Sequence, residues 1–291
     1  VSQNSAIPLA MSVKAQRSSF NLDGKDGRLV CQEFTTWGIR NPDSATAVAA
    51  IQALTKVIER SKAQTLMELQ EDLKAAMESL KSMDENSITL AAGCELFSRY
   101  VTRTSLDIPD FDTCKKRLIS RGKVFAENSI QSRTRISKFG DRFIQDNARI
   151  LIHGRSRVVA QLLNHAHQKH KKFSVYISEG RPKNHGYLMA EELKEMGIYC
   201  TLILDSAVAA TMDDIDMVLV GAEAVVENGG IINTVGTYQM AMVASLLNKP
   251  VYVAAESYKF SRLFPLSQKD IKQRNHVEKP PILPKRAKLP K

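Results

Sequence analysis

DMVLVGAEAVVENGGIINTVGT, running from Asp216 to Thr237, is the stretch whose reading decides the fold. Asp216-Met217-Val218-Leu219-Val220 is a short apolar run rich in β-branched residues, and it reads as a buried strand. It gives way to Gly221, Glu223, Glu227, Asn228, Gly229 and Gly230. After Ile231 and Ile232 come Asn233, Gly236 and Thr237, where the helix-forming run YQMAMVASLLN begins. A strand, a loop of glycines, carboxylates and amides, and then a helix start is how open α/β sheets build ligand sites. The helix start offers unpaired N–H groups and a positive dipole end, both suited to a phosphate. The glycines let backbone approach a ligand that side chains would hold off. The same pattern also fits a plain strand-to-helix crossover with glycines at ordinary turns.

The flanking sequence repeats the motif. RILIH (149–153), FSVYIS (173–178) and YCTLIL (199–204) read as strands upstream, and VYVAA after Pro250 reads as one downstream. Between them lie the helical runs RVVAQLLNHAHQKHKK, a helix from about Tyr187 to Met196 stopped by Gly197, and the short DSAVAATM. Strands alternating with helices predict right-handed crossovers and a parallel, doubly wound, Rossmann-like sheet. Earlier in the chain the period is helical. ATAVAAIQALTKVIER follows a capping Asp43 or Ser44, and its Val48, Ile51, Leu54, Val57 and Ile58 share one face. Further helices are expected over 65–80, 88–104 and 111–146, with Gly122 and Gly140 as candidate breaks. The expected organisation is a flexible N-terminus over 1–40, a helical domain over 41–146 and a Rossmann-like domain over 147–268. Residues 269–291, with four prolines after Lys272 and little periodicity, read as a disordered basic tail.

Composition excludes several classes. The formal charge of +10 belongs to the ends: residues 258–291 carry +8 and residues 1–40 carry +2, leaving a neutral body. A neutral body without a clustered basic face gives little support for direct nucleic-acid binding. No apolar run approaches the roughly 20 residues of a membrane span, and the N-terminus lacks the pattern of a secretory signal. Cys31, Cys94, Cys114 and Cys200 are widely spaced, as expected of reduced cytosolic thiols rather than a zinc site.

The carboxyl ends of the predicted strands gather His153-Gly154-Arg155-Ser156, Glu179-Gly180-Arg181-Pro182, Asp205-Ser206, Gly221 to Glu223 and Glu256-Ser257-Tyr258-Lys259. This polar, charged, aromatic-poor set suits a small hydroxylated anion such as a sugar phosphate, with arginine matched to phosphate oxygens. The turn GRSR lacks the dinucleotide fingerprint, and no phosphate loop of the NTPase type occurs. His153 could serve as a base or be a packed histidine, and His165, His167 and His170 read as a solvated helix face.

GAEAVVENGGIINTVGTYQMA, FSVYISEGRP and AESYKFSRLFPLSQKD, with DSATAVAAIQAL and AAGCELFSRYV in the helical part, resemble the family of alpha (regulatory) subunits of eukaryotic translation initiation factor 2B. The likeness runs from about Asp43 to Asp270 and implies an N-terminal helical domain followed by a Rossmann-like domain. The wider family includes isomerases of methylthioribose 1-phosphate and ribose 1,5-bisphosphate, which use a cysteine after the first strand and an aspartate after the fourth. Here those positions are Gly154 and Glu223. Glycine cannot move a proton, and a glutamate would be misplaced by about 1 Å, so the resemblance implies no catalytic residues and no cofactor. It does imply a retained pocket for a sugar phosphate or a nucleoside monophosphate. The candidate binding residues are Arg99, Gly154, Arg155, Ser156, Glu179, His185, Glu223, Asn228, Asn233, Gly236, Thr237 and Lys259.

The resemblance also implies a cytosolic homodimer joined to beta, delta, gamma and epsilon subunits. That complex exchanges guanine nucleotide on initiation factor 2, and the alpha subunit helps it sense factor 2 phosphorylated on its own alpha subunit. The expected contact surface is the helical domain, with no membrane partner. Two departures stand out: the first ~35 residues lack the family's acidic helical start, and past Asp270 a basic proline-rich stretch stands where the family has a strand and helix. The expectation is an exposed sheet edge and apolar surface, and hence poor solubility or assembly. A sugar-phosphate isomerase and a stand-alone metabolite-binding protein are the alternatives.

Overall fold

The computed structural model describes residues 25–41, 44–84, 87–108 and 110–271. Five helices come first: α1 (Lys25–Arg40), α2 (Thr46–Arg60), α3 (Leu66–Met83), α4 (Ile88–Asp107) and α5 (Phe111–Gly140). They close around α2, whose Ile51, Leu54 and Ile58 meet Leu69, Leu73 and Leu80 of α3, Phe97 of α4 and Leu118 of α5. The stripe expected on α2 is therefore its core face. Thr65 and Ser87 cap α3 and α4 by accepting the N–H of Glu68 and Leu90. Gly122 does not break α5. A Cβ there would lie 2.1 Å from Thr55 Oγ1, so the glycine lets α5 approach α2. Gly140 is the last residue of α5, and a 3-10 turn over Asp141–Phe143 follows.

The N-terminal expectation needs correction for residues 25–40, which form α1 rather than a flexible segment. Val30 is fully buried, and Cys31 and Phe34 pack beside it on the helical core. Their spacing of one and four residues makes a short apolar stripe, which the neighbouring glycines obscured. Residues 1–24 and 272–291 lie outside the described residues, as does most of the expected tail. Gln268–Asp270 form a capped 3-10 turn in which Ser267 and Asp270 satisfy each other's backbone N–H groups.

The second half alternates as the sequence predicts: β1 (Ala148–His153), α6 (Arg157–Gln168), β2 (Phe173–Ser178), α7 (His185–Glu195), β3 (Cys200–Ile203), the short α8 (Val208–Thr211) and β4 (Met217–Val220). A two-stranded hairpin of β5 (Ala224–Val225) and β6 (Ile231–Ile232), then α9 (Thr237–Leu246) and β7 (Val251–Val253), complete it. The main sheet has the order β3-β2-β1-β4-β7, and every pairing is parallel. The order reverses between β1 and β4, so the crevice that binds ligands in such sheets opens beyond their carboxyl ends. The hairpin was not legible beforehand, because two-residue strands carry no measurable period.

Strand β7 is an edge, and its Val251 and Val253 are 37% and 42% exposed. On α9, Tyr238, Met242 and Leu246 are exposed at i, i+4 and i+8, and Phe260, Phe264 and Leu266 are exposed further along. Among the described residues this is a substantial apolar surface beside a sheet edge.

Candidate functional site

The turns that leave β1, β2 and β4 converge on a cleft of about 330 Å³ at the point where the strand order reverses. From β1 come His153, Gly154, Arg155, Ser156 and then Arg157 and Val158, the first residues of α6. From β2 come Gly180, Arg181, Pro182, Lys183 and His185, and from β4 come Gly221, Ala222 and Glu223. Asn233, Thr234 and Val235 close one side, and Glu256 and Lys259 lie beyond the end of β7.

Local geometry explains why these residues meet. Gly154 and Gly180 adopt φ of 58° and 71°, values at which an L side chain is strained. Gly221 passes so close to Ser156 that a Cβ would lie 2.4 Å from its Oγ. Ser156 is the N-cap of α6, and the helix starts inside the cleft with its unpaired N–H groups and positive dipole end. Five lining residues are Arg or Lys, against Glu223 and Glu256. Burial, then Lys183 and Arg155, push the His185 imidazole below its ordinary pKa and so favour the neutral ring. Arg155 and Arg181 are paired with Glu192 and Glu179, and the remaining polar and cationic groups around a helix N-terminus have the chemistry that suits an anion.

His153 is buried and locked. Its Nε2 lies 2.7 Å from the Val235 carbonyl, which can only accept, and its Nδ1 lies 2.6 Å from Ser178 Oγ. Both ring nitrogens are thus engaged in tying the Asp216–Thr237 stretch to β1 and β2. Gly236 makes this possible, since a Cβ there would sit 2.7 Å from the ring. The reading of His153 as a packed residue fits this geometry better than a base.

Of the residues expected from sequence, Gly154, Arg155, Ser156, His185, Glu223, Asn233 and Lys259 line the cleft. Five do not, for stated reasons. Arg99 lies ten residues beyond Thr89 on α4, which carries it about 15 Å along the helix. Glu179 is buried and turned to Arg181 Nε at 3.2 Å. Asn228 is a loop clasp, donating to the Pro265 carbonyl and accepting from Gly230 N–H. Gly236 packs on His153, and Thr237 Oγ1 accepts from Asn233 Nδ2 at 3.1 Å, so it orients a lining residue. Asp205 accepts the N–H groups of Gly180 and Arg181 and shapes the β2 turn.

Ser87 and Thr89 at the start of α4, and Ala45 and Thr46 at the start of α2, line the cleft from the helical half. No sequence signal pointed to them, because their placement depends on how the two halves pack. Thr89 donates to the Glu223 carbonyl, so α4 also braces the β4 turn. Arg157 was legible in principle, as the first residue of a helix that starts at a strand end.

None of the four cysteines reaches the cleft. Cys31, Cys94 and Cys114 sit in the helical half, and Cys200 begins β3 at the opposite end of the sheet. Burial raises all four thiols, that of Cys94 to about 11, so none is an activated nucleophile. Among the described residues no helix is long and apolar enough to cross a membrane.

Comparison with known proteins places this architecture. The family model of the initiation factor 2 subunit family matches residues 40–282. The chain belongs to the initiation factor 2 subunit family. Translation initiation factor eIF2B subunit alpha of Dictyostelium discoideum is 46% identical over 260 residues, 88% of this chain and 81% of that protein. The subunit of the same name from Caenorhabditis elegans is 38% identical, covering 80% and 77%. Ribose 1,5-bisphosphate isomerase of Methanocaldococcus jannaschii is 40% identical over 146 residues, half of this chain. In fold the chain resembles a chain in the crystal structure of the tetrameric eIF2B beta2–delta2 complex from Chaetomium thermophilum, with a TM-score of 0.71 at 18% identity over 85% of this chain and 83% of that one. These likenesses support a translation initiation factor 2B subunit, with family relatives among the isomerases.

Proposed function

We propose that this family member is a non-catalytic, alpha-type regulatory subunit of the factor 2B guanine-nucleotide exchange complex. In this reading it works in the cytosol and stabilises the assembly with beta, delta, gamma and epsilon subunits. It also helps the assembly sense initiation factor 2 phosphorylated on its alpha subunit. In this reading the apolar surface of α9, β7 and Phe260 to Leu266 supports self-association in place of the impaired assembly expected from an open sheet edge, since exposed patches of this kind mark protein contacts. The cleft is then an inherited pocket for a sugar phosphate or nucleoside monophosphate, which stabilises the form that binds it.

One observation carries the absence of chemistry. At the strand ends where a proton-moving pair is needed, Gly154 has no side chain, and the nearby His153 has both ring nitrogens engaged. Glu223 would have to act without the cysteine that the resemblance implies for an isomerase. An aldose–ketose shift needs one group for the carbon-bound proton and one for the oxygen-bound proton. The purified chain is therefore expected to bind ribose 1,5-bisphosphate without converting it, as followed by phosphorus NMR. Turnover that Glu223→Gln abolishes would establish the isomerase reading instead.

A further inference from the structure

Behind the cleft, a buried polar chain leads away from Lys259 into the helical half. Lys259 Nζ is 2.9 Å from Glu256 Oε2. The other oxygen of Glu256 accepts from Arg133 Nε at 3.2 Å and from Tyr258 OH at 2.8 Å. Ser129 Oγ in turn donates to Tyr258 OH at 3.3 Å. Glu256, Tyr258, Ser129 and Arg133 are each at most 7% exposed. Ser129 and Arg133 are one turn apart on α5, so one face of that helix is fastened to the end of β7. The Tyr258 ring reinforces the joint by packing on Phe125, 5.9 Å between centroids, and on Ala45, Ala47 and Val48 of the α2 start. Glu256 and Lys259 line the cleft, whereas Arg133, Ser129 and Tyr258 do not.

We propose that the Lys259–Glu256 ion pair couples occupancy of the cleft to the docking of α5 on the sheet domain. Two cations share one buried carboxylate. An anion in the cleft draws Lys259 toward itself, and Glu256 is left to Arg133 and Tyr258. In a low-dielectric site the carboxylate then holds its remaining partners more tightly. The clamp on α5 tightens, and ligand binding is felt on a helix of the helical half. This coupling rests on the reading of the cleft as an anion site. Linkage makes it reciprocal: whatever stabilises the clamped α5 also tightens anion binding.

Hydrogen exchange of the full chain with and without ribose 5-phosphate tests it, with calorimetry reporting binding on the same samples. In the wild type, exchange of the α5 amides around Ser129 to Ser137 is expected to slow on the order of tenfold on binding, within the usual range of coupling between sites. Tyr258→Phe keeps the ring and deletes the hydroxyl link. It should still bind ribose 5-phosphate while the slowing on α5 shrinks, because the direct Arg133 link remains. Arg133→Gln breaks the parallel link from Glu256 to α5, with the same expectation. A purely structural role would change exchange equally with and without ligand. Binding with unchanged α5 exchange in the wild type overturns the coupling alone, as does full slowing in both variants. Failure of the wild type to bind ribose 5-phosphate overturns the cleft reading and the coupling with it.

Discussion

Replacing Glu256 with glutamine is expected to cost about 3–5 kcal/mol of stability, the scale for removing one partner of a buried ion pair. Glu256 is 1% exposed and is ion-paired with both Arg133 and Lys259. The amide would leave two cations beside each other, with the guanidinium of Arg157 also nearby and already disfavoured by burial and by Arg133. For a chain of this length that corresponds to a melting temperature lower by roughly 10 °C. The pH dependence has a definite sign. Burial pushes the Glu256 carboxyl up, but Lys259 and the Tyr258 hydroxyl outweigh it and hold the group below the usual range for glutamate. A depressed folded-state pKa contributes stability above the unfolded value of about 4.3 and loses it as pH falls through the folded value. Wild-type melting should therefore drop below pH ~4 more steeply than that of Glu256→Gln. Equal melting temperatures at pH 7 would contradict this account of the joint.

Gly186→Ala is expected to destabilise the chain by about 3 kcal/mol and to abolish anion binding. A Cβ at Gly186 would lie 2.2 Å from the Ser178 carbonyl oxygen and 2.8 Å from Glu179 Cα. Both neighbours are backbone, and Gly186 N–H also donates to the Glu179 carbonyl, so no side chain can swing aside. Room can come only from moving the start of α7 off the end of β2, which displaces Gly180, Arg181 and His185 from the cleft. Gly38→Ala is the contrast. Nothing lies within 4 Å of a Cβ there, and Gly38 is exposed within α1. It should gain about 0.5–1 kcal/mol through helix propensity and a less flexible unfolded chain. Chemical denaturation of the two variants, with phosphate binding measured by calorimetry, checks both expectations. A Gly186→Ala chain as stable and as ligand-competent as the wild type would sink the first.

The parts of the fold that were legible are those written in long periods. In the α2 stripe, the FSVYIS strand and the Met217–Val220 run, local propensity and apolar pattern agree, and their extents match the sequence to within a residue or two. Helix α1 was missed because Gly24, Gly27 and Gly38 punctuate a stripe whose burial depends on α2 and α3. The cleft was legible as a place, since a switch in strand order fixes where the turns converge. Its individual members were less so. Thr89 and Arg157 enter through tertiary packing, while Asn228 and Glu179 have the right chemistry in the right loops yet spend it on their own backbone and on Arg181. Sequence position cannot distinguish a polar side chain aimed into a cleft from one that shapes its rim.

Co-purification tests the central claim most directly. The tagged full chain, expressed with the beta, delta, gamma and epsilon subunits of factor 2B, is expected to elute with all four in one complex. Elution of a well-folded chain alone, with the four recovered as a complex without it, would contradict the account.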